Sequence, residues 1–416
     1  MAEESNGVPA PPPEAHEENP RPSRRRRQRR RRGRRPQAEG GGGRTTTSGY
    51  LFSRDDGKSF LIRSENRFRL GSDDPQIDSA LLARLHLESG LQLDGEMVSA
   101  NGRPRGTVVS FTGIEEMSPE AYREKAVPFG ELTSIDPNER FRLETEPETI
   151  EPRVIELLAP IGKGQRCLIV SPPKAGKTRL LQQLAHAIAV NHSETRIFVL
   201  LVDERPEEVT DWRRSIVKGD VYASSSDESV ASHIEVSEMV LERSRRLVEL
   251  GEDVVVFMDS LTRMSRAYNN AQKSSGRIMS GGIDARTMEK PRRFFGSARN
   301  IEGGGSLTII ATCLVDTGSR MDEVIFQEFK GTGNMEIVLT RDLFERRIFP
   351  TLHIQQSGTR KEEKLYSAAE VEKIYLLRRA LAALSPHEGM QLLLQRLKQY
   401  RSNGEFLGGI QAANGR

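Results

Sequence analysis

Four short apolar runs dominate the chain beyond Arg153: Cys167–Val170, Ile197–Val202, Val254–Met258 and Leu307–Thr312. Each is rich in β-branched residues and shows no polar alternation, as in parallel strands covered on both faces. Helix-length amphipathic stretches separate them. Strand and helix in alternation from Arg153 onward predict a doubly wound α/β domain over residues 151–416. Upstream the pattern changes to short or alternating runs at Ser59–Ile62, Leu91–Leu93, Glu96–Val98 and Thr107–Phe111. The turn signals Asp56-Gly57, Asp94-Gly95 and Asn101-Gly102 fall between them. That pattern predicts a small five-stranded barrel of the OB type over residues 49–117. Residues 118–150, rich in Pro and Glu, read as a connector with little core of its own. Leu and Ala at helical spacing from Glu370 to about Tyr400 read as ordinary packing or a subunit contact.

Composition adds a third region. The 416 residues carry a formal net charge of +3, unevenly spread. Residues 1–44 hold twelve Arg and six Glu, a net +6 that leaves −3 for the remainder. Ten of the twelve positions from Arg24 to Arg35 are arginine, and such a block builds no core. Residues 1–48 are therefore expected to form a disordered leader that meets a polyanion, foremost nucleic acid, through counterion release. A solvated tail or an acidic protein partner is the alternative. No apolar stretch reaches the ~18–20 residues of a membrane span, and the start lacks a secretory h-region. Cys167 and Cys313 lie in separate strand-like runs, which fits small buried side chains in a reducing cytoplasm and gives no zinc motif.

The chemistry begins where the first apolar run ends, at Ser171-Pro-Pro-Lys-Ala-Gly-Lys-Thr178, followed by the helix-like Arg179–Ala185. A strand, a tight Gly-Lys-Thr turn and a helix N-terminus make a phosphate cradle of backbone N–H groups. Lys177 supplies a point charge for the β- and γ-phosphates and Thr178 a hydroxyl for magnesium. Ser171 stands where the pattern has glycine. A nucleoside triphosphate is the expected ligand. The run Val254–Met258 ends in Asp259, positioned to hold Mg²⁺. The run Ile197–Val202 ends in Asp203-Glu204-Arg205, and Glu204 is the candidate base for the attacking water, with Asp203 or Glu207 as alternatives. Arg347 and Arg360 have no evident task in a monomer and are candidates for arginine fingers across a subunit interface.

Several segments together resemble the transcription termination factor Rho family of ring-shaped hexameric RNA translocases. They are PPKAGKT (172–178), VDERPEEVTD (202–211), MDSLTRMSRAYN (258–269), RRFFGSARN (292–300), DEVIFQEFKGTGNMEI (322–337) and SGTRKEE (357–363). The resemblance implies a RecA-like P-loop ATPase core preceded by an OB-fold barrel. It also implies a homohexamer that hydrolyses ATP with Mg²⁺, threads single-stranded RNA and acts on the RNA polymerase elongation complex in the cytoplasm, without a membrane. Carried over to this chain, Gly162, Lys163, Gly164, Gln165, Arg166 and Cys167 would line the nucleotide site. Lys174, Ala175, Gly176, Lys177, Thr178 and Arg179 would form the phosphate loop. Glu204 would be the base, Arg205 a nucleotide contact, Asp259 the magnesium ligand and Phe349 the adenine platform. Arg360 would be the finger, Arg347 a second contact from the neighbour, with a relay near Arg263. Two pore loops, one near Arg277 and one carrying Lys330, would grip RNA. In the barrel, Phe60, Arg63, Arg103 and Arg105 fall at RNA-contact positions. Lys58, Gln76 and the 103–105 stretch lack the family's base-stacking aromatics, so weak primary RNA binding is expected, with little preference for cytosine.

Overall fold

A computed structural model of the chain describes residues 44–54, 56–99, 105–271, 282–283 and 286–410. The arginine-rich run, Arg103 and Arg277 lie outside the described residues. Among the described residues no helix is long and apolar enough to cross a membrane.

The barrel is closed by β1 (Arg44–Ser53), β2 (Ser59–Ile62), β3 (Gln76–Ile77), β4 (Gln92–Val98) and β5 (Thr107–Ile114), in the order β1-β2-β3-β5-β4. Alternate side chains turned inward, among them Leu51, Leu61, Ile77, Leu93 and Val108, fill it. Two boundaries differ from the sequence reading. The barrel begins at Arg44, so residues 44–48 belong to its first strand rather than to the leader. Asp94-Gly95 is no turn but the middle of β4. Glycine is required there because a Cβ on Gly95 would lie 2.3 Å from the Ser110 carbonyl oxygen.

The stretch from 118 to 150 contributes more than a connector. It holds the short strand β6 (Ser134–Ile135), and Phe141 and Leu143 are wholly buried in the core of the second domain. That domain is built on β7 (Arg166–Ser171), β8 (Arg196–Glu204), β9 (Asp220–Ser225), β10 (Asp253–Asp259), β11 (Arg299–Ile301), β12 (Ser306–Leu314), β13 (Met335–Val338) and β14 (Gly358–Thr359). The main path runs β14-β13-β7-β12-β10-β8-β9, with β14 antiparallel and the others parallel. All four apolar runs become adjacent central strands. Helices on both faces bury them in two large clusters. Cys167 and Cys313 are fully buried free thiols, raised far above their ordinary pKa by burial.

Parallel strands deliver their carboxyl ends to one edge of the sheet, where ligands collect. β7, β8 and β10 therefore bring Ser171, Glu204 and Asp259 to a common rim. The barrel packs against this domain through Phe68, stacked on Tyr222 at 4.1 Å, and through Arg54–Glu235, Arg69–Glu228, Glu88–Arg246 and Glu115–Arg243 ion pairs.

Candidate active site

The phosphate loop leaves β7 through Pro172 and Pro173 and enters the helix Lys177–Asn191. Gly176 caps that helix at φ +87°, a conformation that favours glycine and lets the first N–H groups converge on an anion. Ser171 is wholly buried and its hydroxyl donates to the Pro172 carbonyl, so the missing glycine leaves the cradle open. From the far side, the Thr351 hydroxyl donates to the Ala175 carbonyl at 2.6 Å and fixes the loop. Lys174 is exposed beside it at φ +62°.

The three groups expected to act on phosphate do converge. Lys177 Nζ lies 2.5 Å from Asp259 Oδ2 and 3.6 Å from Glu204 Oε1. Asp259 is 1 % exposed and accepts a second hydrogen bond from Thr312 Oγ1 at 2.7 Å. Glu204 is equally buried, with Arg263 Nε at 3.2 Å from Oε1, yet Oε1 has no hydrogen bond of good geometry among the described residues. Burial, then the neighbouring Asp259 charge, lifts the Glu204 carboxyl well above its usual range, against the opposing Lys177 and Arg263 charges. The same carboxylates raise Lys177 despite burial, which acts the other way. Asp203, a half-buried bulge residue at φ +55°, turns its carbonyl to Arg263.

This arrangement fits a triphosphate with a divalent ion. Glu204 Oε1 is held by ion pairing with Lys177 and Arg263 and accepts no hydrogen bond of good geometry among the described residues, which leaves capacity for a water, and Lys177 occupies space that phosphate oxygens would share. Among the described residues no three His, Cys, Asp or Glu side chains gather to hold a metal. A magnesium ion would accordingly draw most of its ligands from phosphate and water, as that ion commonly does. Phe349, the expected adenine platform, lies beside the helix that follows the loop. Arg179 lies 5.3 Å over its ring, Phe344 meets it edge-on, and Arg179 is paired with Glu151 at 2.8 Å. Arg205 is exposed at the start of the helix Pro206–Ser215, next to Glu204.

Residues 152–359 match the ATP synthase alpha/beta family, nucleotide-binding domain. Over 361 residues the sequence is 49% identical to the transcription termination factor Rho of Borreliella burgdorferi, covering 86% of this chain and 70% of that protein. The chain belongs to the transcription termination factor Rho family. The Rho protein of Cereibacter sphaeroides is 48% identical over 362 residues, 86% of this chain and 85% of that one. Among solved structures, an ATPase from the type III secretion system of pathogenic bacteria aligns with a TM-score of 0.53 at 22% identity. It covers 69% of this chain and 78% of that one, a likeness of fold alone. The domain is that of an ATP-hydrolysing enzyme.

The other positions suggested by the likeness to the Rho family lie away from this cluster in the protomer. Gly162 to Cys167 do not line the phosphate loop of their own protomer. They lie at the amino end of β7, a six-residue strand or about 20 Å from the loop. Lys163 is held there by Glu139 and Asp253 at 2.7 and 2.8 Å. Gln165 and the Arg166 N–H both donate to Asn334 Oδ1, and Cys167 is sealed in the core. Arg360 is exposed at this same end, its N–H donating to the Asn334 carbonyl. Burial and the nearby Arg360 charge lower Arg166 from its ordinary value. Arg347 sits instead on the protomer's own nucleotide side, 5.4 Å over Phe344, so the two arginines expected to act together are separated.

Lys330 stands where a helix gives way to the turn at Gly331 and Thr332. It is the last residue of the helix Arg320–Lys330, exposed, with Nζ 5.6 Å from the Phe326 ring centre. It shares a cavity of about 730 Å³ with Pro172, Asp316 and Arg341, beside the phosphate loop. In the barrel, Phe60 is 4 % exposed and covered by the Arg105 guanidinium at 5.0 Å, so its ring is not an open platform. Arg105 also donates to the Gly71 and Ser72 carbonyls, and Arg63 is paired with Asp73 at 2.6 Å. Residues 44–117 carry nine basic and eleven acidic side chains, a net −2. Thr312 and Phe344 were not anticipated. Neither has a sequence signal, because each acts only through what the fold brings beside it.

Proposed function

We propose that this protein is an ATP-dependent RNA translocase of the cytoplasm that ends transcription by drawing nascent RNA away from RNA polymerase. The observation that carries the reading is the meeting of Lys177, Glu204 and Asp259 on one rim of the sheet, in a chain of the Rho family. Lys177 and the loop N–H groups bind the β- and γ-phosphates of ATP. Thr178 and Asp259 hold magnesium, which when bound neutralises charge on the phosphates. Glu204, at the end of β8 with one oxygen that accepts no hydrogen bond of good geometry, orients the attacking water and takes its proton. The raised affinity of this carboxyl for a proton suits a base working near neutrality.

Arg360 lies at the amino end of β7, opposite its own phosphate loop, so it serves the loop of a neighbour. A ring of identical subunits, each lending Arg360 to the next, meets that need, and a homohexamer is the form proposed. Lys330 and Arg277 are proposed to contact RNA in the central channel and to pass the state of the nucleotide to it. The barrel, net acidic and with Phe60 covered, is proposed to hold RNA loosely.

ATP hydrolysis measured with and without poly(C), poly(U) and poly(A) tests the reading. A rate that rises at least about tenfold with RNA, the size of a modest coupling energy, is the expected result. A rate indifferent to every polymer would overturn it and favour an ATPase coupled to another substrate.

A further inference from the structure

Among the described residues the barrel touches the ATPase domain through four ion pairs, and three of them end on one helix, Val230–Glu249. These are Arg54–Glu235, Glu88–Arg246 and Glu115–Arg243. The fourth is different. Arg69 donates to Glu228 Oε1 at 2.5 Å and also to the backbone carbonyl of Ala223, inside the edge strand β9. β9 pairs only with β8 along the main path of the sheet, and its last residue, Ser225, lies in register with Glu204. Just beyond, the Ser226 N–H donates to the Glu204 carbonyl at 2.9 Å.

Glu228 is the hub of this corner. It accepts from the Ser225 N–H at 3.2 Å, from Ser225 Oγ at 3.1 Å and from Ser232 Oγ at 2.7 Å. Ser224, wholly buried, reaches Glu228 on one side and His233 Nδ1 at 2.7 Å on the other. Between β8 and β9 the register slips at the bulge formed by Asp203, whose carbonyl holds Arg263. The position of the Glu204 side chain thus depends on where the end of β9 is held. Arg67 and Phe68, the residues before Arg69, adopt φ of +47° and +67°. Two left-handed residues in succession without glycine persist only where the surroundings enforce them, and they cluster at functional contacts. Here the Phe68 ring is clamped on Tyr222 of β9 with the planes 5° apart.

We propose that Arg69 is a positioning residue for ATP hydrolysis: from the barrel it fixes the free edge strand β9 and so aims Glu204 at the attacking water. The inference rests on the assignment of Glu204 as base. It makes the barrel part of the catalytic apparatus, so that an event on the barrel alters turnover without any contact with nucleotide.

The test uses full-length protein and steady-state ATPase rates at saturating poly(C), comparing Arg69→Ala with Arg54→Ala. Arg54–Glu235 is a matched control, a barrel-to-core pair of 2.6 Å with similar exposure that does not reach β9. Arg69→Ala is expected to lower kcat about three- to tenfold, a partial loosening of a group whose full misplacement costs about a hundredfold. KM for ATP should stay within about twofold, since the phosphate loop is untouched. Arg54→Ala should keep wild-type kcat. Equal effects of the two variants, or a change in KM instead of kcat, would overturn the proposal. Glu204→Gln, run alongside, separates the two layers. If it is inactive while Arg69→Ala turns over normally, only the strut fails; if it retains full kcat, the base assignment itself fails.

Discussion

Replacing Lys177 by methionine removes a charge while keeping most of the side-chain volume, and the structure sets the size of the effect. Lys177 is the cation nearest to Asp259 and one of two near Glu204, and both carboxylates are 1 % exposed. Breaking a buried pair by deleting one partner costs about 3–5 kcal/mol, because a charge is left without compensation. Thr312 still donates to Asp259 and Arg263 still faces Glu204, so the lower end, about 3 kcal/mol, applies. For a domain of this size that is a fall of about 6–12 °C in Tm. Adding Asp259→Asn to the methionine variant removes the stranded charge and should return at least half of the loss. ATPase activity should remain down by about a hundredfold or more in both, as for loss of a principal electrostatic contact to the reacting phosphate. The assay is thermal unfolding without nucleotide, followed by single-turnover hydrolysis. A Tm change under about 2 °C for the single variant, or no recovery in the double, would refute the claim that this lysine neutralises the buried carboxylates.

Glu204→Gln should abolish hydrolysis while leaving RNA retention on filters unchanged. Because folding raises the Glu204 pKa above its ordinary 4.5, this group's contribution to stability is complete below that pH and is lost as pH rises towards neutrality. The glutamine variant should therefore gain stability relative to wild type between pH 5 and 8, and a constant difference would contradict a Glu204 carboxyl raised by burial and Asp259. Arg360→Ala and Lys177→Ala should each be inactive alone but recover part of the activity when subunits are mixed and reassembled. Failure of any mixture to recover would place Arg360 in the wrong role. Phe60→Leu should change poly(C) affinity less than about twofold, where an open stacking platform would cost ~1–3 kcal/mol per base. A loss of tenfold would show that the ring opens to RNA.

The sheet was legible because buried parallel strands are uniformly apolar, and each of the four runs became a central strand. Asp259 and Glu204 could be placed for the same reason: a polar residue ending such a run must sit on the ligand-binding rim. The barrel was harder. Asp94-Gly95 carries turn chemistry but serves close approach to Ser110, and no local pattern separates the two uses of glycine. The run Arg44–Ser48 has no apolar alternation, so its pairing with β4 was hidden. Motif spacing does not report at which end of a strand a residue lies, so the position of Gly162 to Cys167 at the amino end of β7, away from the phosphate loop of the same protomer, was not legible. Phe60 was identified by position, but whether an aromatic ring is free depends on Arg105, 45 positions later, which only the closed barrel reveals.

The placement of Arg360 and the phosphate loop at opposite edges of one sheet has a consequence for behaviour in dilute solution. On the proposed assignment of Arg360, every polypeptide carries a socket on one flank and a plug on the other, and neither meets its own counterpart. Turnover per molecule should then fall away steeply as copies become scarce, well before any single fold comes undone.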